Sequence, residues 1–170
     1  MQEKSFFLTF KNPKDFLAKM YLTLCFSGLS PKAPGTIGTL VAIPFAYYIA
    51  SFSHTTLLLS ALLISALGIK IIDHYEKKGL EHDRKEIVID ELAGVWVSIA
   101  IIGNTTLGIV LSFIFFRIFD IWKPSIIGKV DKNIKGGLGV MGDDLLAGFF
   151  AGILGLIVIG ILTKMESLNF

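Results

Sequence analysis

Residues 141–162 read MGDDLLAGFFAGILGLIVIGIL, two adjacent acids followed by a run that carries no charge. The apolar part, Leu145 to Leu162, is near the lower limit of the roughly 17 to 25 helical residues needed to span about 30 Å of hydrocarbon. Three of its glycines follow a small-xxx-small pattern, which lets membrane helices approach closely: Gly148, Gly152 and Gly155. The stretch predicts a membrane helix that packs tightly against a neighbour and has an acid pair at its start.

The composition of the whole chain also favours a membrane. Of its 170 residues 53% are hydrophobic and 18% are charged, and the mean hydropathy is +0.69. An ordinary globular domain of this size is less apolar. The formal net charge of +2 is too small to indicate nucleic-acid binding, and the single cysteine excludes cysteine metal clusters. The length fits one domain, residues 1–170, and nothing in the sequence indicates an oligomeric state.

Four further apolar stretches precede the quoted one: Thr36 to Phe52, Leu57 to Ile72, Leu92 to Ile102 and Leu107 to Phe119. The last two of these are short for a bilayer, so they tilt, use flanking residues or pack as a buried hairpin around a tight turn at residues 104–106. Residues Lys14 to Phe26, after an Asn12-Pro13 helix start, have apolar side chains at helical spacing. We predict an all-α, membrane-associated bundle of about four to five apolar helices plus an N-terminal amphipathic helix. A soluble helical protein is the alternative.

The basic residues indicate which side of the membrane each connection occupies. Five lie before Thr36, five lie in residues 70–85 and five lie in residues 117–135, and only Lys164 lies elsewhere. With five spans these three regions share one side, which the positive-inside tendency places in the cytoplasm. Thirteen of the fourteen acids share that side, because only Glu166 follows the last apolar stretch. We therefore predict a multi-pass protein of the cytoplasmic (inner) membrane with a cytoplasmic active face.

Two segments rich in glycine are candidates for binding an anion. The first, residues 28–39, contains two prolines and precedes an apolar helix, and free backbone N–H groups at such a start suit an anion. We predict that Gly35 and Thr36 contact it; the alternative is an ordinary helix start with Thr36 as the N-cap. The second, residues 136–142, allows close backbone approach at Gly136 and Gly137, or is simply a flexible loop before a helix.

Two acid pairs are candidates for metal binding and catalysis. Asp90 and Glu91 come directly before the apolar residue Leu92, and Asp143 and Asp144 stand in the same position before the last apolar stretch. Adjacent carboxylates repel and are costly near hydrocarbon. A divalent cation such as Mg²⁺, which prefers oxygen ligands, relieves that cost. In each pair we expect one acid to cap its helix and the other to reach the site, whereas two solvated helix starts are the alternative.

Residues 117–124 read RIFDIWKP and add a third acid with two cations. Arg117 and Asp120 are i,i+3 neighbours, and Lys123 comes just before a proline that ends the helix. A structural ion pair accounts for the first two. Arginine and lysine beside metal-binding carboxylates also form a phosphate clamp, so we predict that Arg117 and Lys123 bind a phosphate.

Taken together, these segments resemble the bacterial phosphatidylglycerophosphatase A family from about residue 28 to residue 155. The resemblance rests on residues 31–39, 82–94, 116–124, 136–137 and 141–148, with Asp131; Ser125 and Ile126 depart from the family pattern. It implies a membrane-associated, Mg²⁺-dependent lipid phosphatase that converts phosphatidylglycerophosphate to phosphatidylglycerol in phospholipid biosynthesis. The resemblance implies that five acids serve as metal ligands or as the base: Asp90, Glu91, Asp120, Asp143 and Asp144. Asp83 and Asp131 are weaker candidates.

The chemistry expected of such a site leaves two routes open. Either a carboxylate positions a water that attacks phosphorus, or an aspartate attacks and its acyl-phosphate is hydrolysed later. The main rival class is a small membrane transporter or ion-binding protein, which would place acids within a span; here they lie at the ends of the apolar stretches. A phosphoalcohol transferase is a weaker rival, because the Asp-Gly-x-x-Ala-Arg arrangement associated with that group is missing.

Overall fold

A computed structural model describes residues 12–168, and all the regular secondary structure of that part is helical. The predicted all-α fold is confirmed. Seven α-helices and one short 3-10 helix, Ser27–Leu29, follow one another: α1 Pro13–Leu22, α2 Pro34–Phe52, α3 His54–Glu76, α4 Ile89–Ile102, α5 Thr106–Trp122, α6 Ile126–Asn133 and α7 Gly137–Leu168.

Helix α4 forms the centre of the bundle. It contacts α2, α3, α5 and α7, and 12 of its 14 residues are buried. Trp96 anchors it to α2, because the indole Nε1–H donates to the Ala42 carbonyl oxygen over 3.0 Å. An apolar sequence too short to cross a bilayer is therefore used as the buried core, and this helix carries Asp90 and Glu91 into the interior at its first turn.

Three helices are long and apolar enough to cross a membrane by length and composition: α2, α3 and α7. Much of their surface is apolar and exposed, as at Leu63 on α3 and Ile157 on α7, which agrees with the predicted membrane protein. Between them, α4 and α5 form a hairpin around the predicted turn. Thr105 begins α5 there, because its hydroxyl oxygen accepts a hydrogen bond from the Gly108 N–H at 3.1 Å.

Helices α4 and α7 touch through their backbones. A Cβ atom on Gly148 would overlap the carbonyl oxygen of Gly94, and a Cβ atom on Gly152 would lie 2.7 Å from the Ile101 side chain. Gly155 packs against Ile102 in the same way. The predicted role of these glycines in close packing is confirmed. Their contacts fix the position of the α7 acids along the helix axis relative to the acids of α4.

One predicted helix end is wrong, and two alternatives that the sequence left open for helix starts do not apply. Helix α1 ends at Leu22 instead of reaching Phe26, because residues 24–26 adopt positive φ angles and reverse the chain. Helix α2 begins at Pro34 with Ala33 as its N-cap, so Thr36 is a first-turn residue and not the cap. Helix α7 already begins at Gly137, so the glycine segment before Asp143 is helical and not a loop.

Candidate active site

The ends of four helices, three of which carry charged residues, meet around one pocket of about 340 Å³. The first turns of α2 and α4, the second turn of α7 and the last turns of α5 line it, together with the loop before α4. Its charged lining residues are six acids and four bases: Asp83, Asp90, Glu91, Asp120, Asp143, Asp144, Arg84, Lys85, Arg117 and Lys123. The lining therefore has an excess of two negative charges when all of them are ionised.

Three carboxylates form a compact cluster at this pocket. Glu91, Asp120 and Asp144 each offer one oxygen atom, and these atoms lie within 4.8 Å of one another. Asp144 is only 4% exposed, and within the described residues its carboxylate has no hydrogen-bond or ion-pair partner. A buried, unpaired carboxylate among like charges is costly. The donor set therefore suits a hard divalent cation, which binds carboxylate oxygens.

Arg117 links two members of the cluster. Its Nη1 atom forms an ion pair with Glu91 and another, at 2.7 Å, with Asp120. The predicted i,i+3 pair of Arg117 and Asp120 is thus present, and it has a third member from α4. The guanidinium Nε is buried without an acceptor among the described residues, so Arg117 keeps one donor unused.

The start of α2 holds Glu91 from the other side. The hydroxyl oxygen of Thr39 lies 3.1 Å from Glu91 Oε2 and 2.8 Å from the Gly35 carbonyl oxygen. A Cβ atom on Gly35 would overlap Glu91 Oε1, so only glycine lets the α2 backbone come this close. Burial, with a further contribution from the Asp120 charge, raises the pKa of Glu91 to about 7.

Lys123 connects a second pair of acids. Its ammonium group donates to Asp143 Oδ2 over 2.6 Å and also contacts Asp131. Burial alone would lower the pKa of Lys123, but these two carboxylates raise it well above its ordinary value, so the group stays charged. The residue ends α5 in a left-handed conformation with φ 45°, which costs a non-glycine residue energy and often marks functional positions.

Asp90 is buried beside the cluster. Its Oδ1 atom accepts a hydrogen bond from the Glu91 N–H at 2.9 Å, so it satisfies one first-turn donor of α4, although the N-cap position is Val88 and not one of the acids as predicted. Burial, and then the neighbouring Glu91 charge, raise the pKa of Asp90 well above its usual range. In α7 neither acid caps the helix; the Gly137 N–H donates to Asp73 Oδ1 over 2.6 Å instead.

The structure brings most of the predicted site residues to this pocket. Nine line it, whereas Gly136 and Gly137 do not: they pack at the start of α7 against α3. The weaker candidate Asp83 also lines the pocket, and Asp131 reaches it through Lys123. The sequence prediction missed Thr39, although its spacing from Gly35, one helical turn, places both on one face. The nine predicted site residues that line the pocket are Gly35, Thr36, Asp90, Glu91, Arg117, Asp120, Lys123, Asp143 and Asp144.

Comparisons with known proteins agree on one family. The profile of the phosphatidylglycerophosphatase A family matches residues 20–159. Phosphatidylglycerophosphatase A of Escherichia coli K12 is 40% identical over 130 residues, which are 75% of this chain and 76% of that protein. The Haemophilus influenzae protein of the same name is 34% identical over 127 residues, 74% of this chain and 78% of the relative.

A third relative has a different name. A Bacteroides thetaiotaomicron protein provisionally named a phosphatidylinositol-3-phosphatase is 37% identical over 136 residues, 75% of this chain and 84% of the relative. No solved structure matches the chain. The matched region contains every residue that lines the pocket, so the similarity covers the site as well as the fold. The chain belongs to the phosphatidylglycerophosphatase A family of phosphoric monoester hydrolases.

Proposed function

We propose that this protein is a Mg²⁺-dependent phosphatase that hydrolyses phosphatidylglycerophosphate to phosphatidylglycerol and inorganic phosphate in phospholipid biosynthesis. The observation that carries the proposal is the cluster of Glu91, Asp120 and Asp144 beside two half-buried cations, Arg117 and Lys123. The names of two relatives supply the substrate. The third relative is named for another lipid phosphomonoester, so the shared substrate class is a phosphate at the end of a lipid headgroup.

The cluster fits a magnesium ion by the chemistry of its donors. Glu91, Asp120 and Asp144 offer carboxylate oxygens only, and Mg²⁺ is usually held by a few carboxylates, several waters and the oxygens of a phosphate. The pocket lining has six acids against four bases, so a phosphate would be repelled unless a cation offset the excess. When bound, the ion would polarise the phosphate oxygens and offset the negative charge that develops on them.

Three groups of the chain are placed to bind the phosphate. Arg117 has an unused Nε–H donor, and Lys123 offers a compact positive charge in the lining of the same pocket. The first-turn N–H groups of α2 at Gly35 and Thr36 have no intrahelical acceptor, and the positive end of the helix dipole attracts an anion there. Together these donors would hold a phosphate in one orientation next to the carboxylates.

Hydrolysis needs a nucleophile and a group that takes its proton. In the route through water, a carboxylate accepts a proton while the oxygen attacks phosphorus and the glycerol oxygen leaves. Asp90 suits the acceptor, because it lines the pocket beside the cluster and its Oδ2 atom has no hydrogen-bond partner among the described residues. In the route through an acyl-phosphate, an aspartate of the pocket attacks instead. Phosphate trapped on the protein would identify that second route.

The membrane position follows from the same helix ends. Each of the four helix ends that form the pocket lies within or close to one of the three basic regions of the chain, and basic connections stay in the cytoplasm. We therefore place the protein in the cytoplasmic (inner) membrane as a multi-pass protein with the pocket on the cytoplasmic side. There the lipid tails remain in the bilayer while the headgroup enters the pocket.

Phosphate release by purified protein in detergent micelles tests the proposal. Phosphatidylglycerophosphate, phosphatidylinositol 3-phosphate and phosphatidate are supplied separately, each with Mg²⁺ and with a chelator. We expect release from phosphatidylglycerophosphate at the highest kcat/KM, and none with the chelator. A higher kcat/KM for phosphatidylinositol 3-phosphate would support the phosphatase activity but assign it a different substrate. Folded protein that releases no phosphate from any of the three lipids would contradict the proposal.

A further inference from the structure

The lining of the pocket includes one large apolar side chain that is exposed. Among the described residues that line it, Ile121 is the large apolar side chain that is also exposed, at 72%, whereas Ile87 and Val140 are buried. Ile121 follows Asp120 directly and lies one helical turn beyond Arg117. It therefore stands at the level of the carboxylates, with one part toward the pocket and most of its surface outside.

The exposed apolar surface continues from Ile121 around the connection between α5 and α6. Trp122, the last residue of α5, is 75% exposed, and Ile126, the first residue of α6, is 52% exposed. We call these three residues, Ile121, Trp122 and Ile126, the α5–α6 corner. A large aromatic and two branched aliphatic side chains in water would be costly, so the corner is expected to have an apolar partner.

The charges around the corner indicate what that partner is. Lys129, Lys132 and Lys135 follow within the next turns and are all exposed, and such lysines are attracted to anionic headgroups at a membrane surface. Tryptophan is enriched at this depth, where its ring meets both hydrocarbon and water. Apolar side chains bordered by lysines thus match the boundary between lipid headgroups and acyl chains.

We propose that the α5–α6 corner holds the acyl chains of the lipid whose phosphate occupies the pocket, and so selects long-chain lipid substrates. The proposal rests on the proposed phosphatase function. In phosphatidylglycerophosphate a glycerol and a second phosphate separate the terminal phosphate from the first ester groups, so with the terminal phosphate near Arg117 the headgroup passes Ile121 and the tails begin beyond it. From there the chains pass along Trp122 and Ile126 into the leaflet.

Fluorescence tests the contact without any substrate. The chain has two tryptophans; Trp96 is only 4% exposed, in the core. Purified protein is reconstituted in vesicles of phosphatidylcholine and phosphatidylglycerol, with and without bromine atoms on the acyl chains. The difference between wild type and Trp122→Phe isolates the emission of Trp122. We expect strong quenching of this emission by the brominated lipid, and its absence would overturn the proposal.

Kinetics test the selection of chain length. Phosphate release is measured for the long-chain lipid and for its water-soluble six-carbon analogue, using Ile126→Ala and Trp122→Ala, which change the two corner residues outside the pocket lining. Because apolar contact is lost with the long chains only, we expect KM for the long-chain lipid to rise on the order of tenfold and kcat/KM for the short-chain analogue to stay within about twofold. The matched control is Phe52→Ala, since Phe52 is also 75% exposed but lies at the far end of α2; it should change neither value.

The outcomes separate the two proposals. An equal loss on both substrates would show that the corner shapes the pocket and does not hold acyl chains, which would overturn this inference. A loss in Phe52→Ala as large as in Trp122→Ala would also overturn it. If folded wild type hydrolyses neither substrate, the proposed phosphatase function fails, and the quenching of Trp122 then decides separately whether the corner contacts acyl chains.

Discussion

Gly94 and Gly148 are in backbone contact, so that a Cβ atom on Gly148 would overlap the carbonyl oxygen of Gly94. The contact lies one turn beyond Asp90 and Glu91 on α4 and one turn beyond Asp143 and Asp144 on α7. The acids of two helices distant in sequence are therefore brought together by the absence of two side chains. The distance between the helices sets the size of the carboxylate cluster.

Gly148→Ala should separate these helices and weaken the site. The methyl group forces α7 away from α4, and overpacking of this kind typically costs about 1–3 kcal/mol. We expect a lower thermal midpoint and a loss of phosphate release on the order of tenfold or more. Gly160→Ala is the matched control on α7, because a Cβ atom there meets nothing within 4 Å; it should leave activity unchanged. Wild-type activity in Gly148→Ala would show that this contact does not position the acids.

Gly35→Ala should act on the metal through Glu91. The new methyl group overlaps Glu91 Oε1, so the carboxylate must turn away from Asp120 and Asp144. We expect the Mg²⁺ concentration for half-maximal activity to rise on the order of tenfold, because a ligand is misplaced. In Gly38→Ala the methyl group instead meets Val88 at 2.7 Å, so stability should fall while the Mg²⁺ requirement stays. An equal Mg²⁺ effect in both variants would assign the cause to a shift of α2.

Lys123→Gly separates the charge of this residue from its backbone conformation. Glycine adopts the positive φ angle without strain, so the end of α5 is preserved while the ammonium group is lost. With Asp143 unpaired and the phosphate short of a cation, kcat/KM for the lipid should fall on the order of tenfold to hundredfold. Lys77→Ala, at an exposed lysine outside the pocket, should have no effect. Full activity in Lys123→Gly would mean that the residue has only a structural role.

The stability of the metal-free protein should decrease as the pH rises. Burial raises the pKa of Glu91 from an ordinary 4.5 to about 7, so the folded state binds a proton more tightly than the unfolded state. This contribution is complete below about pH 4.5 and is lost as the pH rises through about 7. We expect the thermal midpoint to fall as the pH rises through that window. Mg²⁺ should restore the midpoint near pH 7 and have no such effect near pH 4.5. In Glu91→Gln this part of the pH dependence should disappear; if it persists, another group is its source.

Patterns within one helix were predictable from the sequence, and contacts between helices were not. The apolar runs predicted the helices, and the charge asymmetry predicted which ends would meet. The small-xxx-small glycines of α7 predicted close packing, but the sequence did not identify their partner Gly94 on α4, although Gly94 and Ser98 have the same spacing. The role of Asp73 in capping α7 was also missed, because the interacting residues, Asp73 and Gly137, are 64 positions apart.

The sequence did not locate the helix starts where the backbone conformation departs from the usual preference of the residue type. The N-cap of α2 is Ala33 in a left-handed conformation, although Thr36 is the residue type that normally caps a helix. Residues 136–142 contain four glycines, which favour a loop, yet six of the seven belong to α7. There, Gly137 packs directly on the α3 backbone at Ile69. Tertiary contact, which a single sequence does not record, overrides local preference in both places.

A Mg²⁺ titration of phosphate release from phosphatidylglycerophosphate, for wild type and Asp144→Asn, tests most directly that the carboxylate cluster holds the metal on which hydrolysis depends. Glu166→Gln, an exposed carboxyl change far along α7, is the control. We expect saturable activation of wild type and of the control, and loss of activity in Asp144→Asn with its fold retained. Equal activation of Asp144→Asn at the same Mg²⁺ concentrations would contradict this expectation.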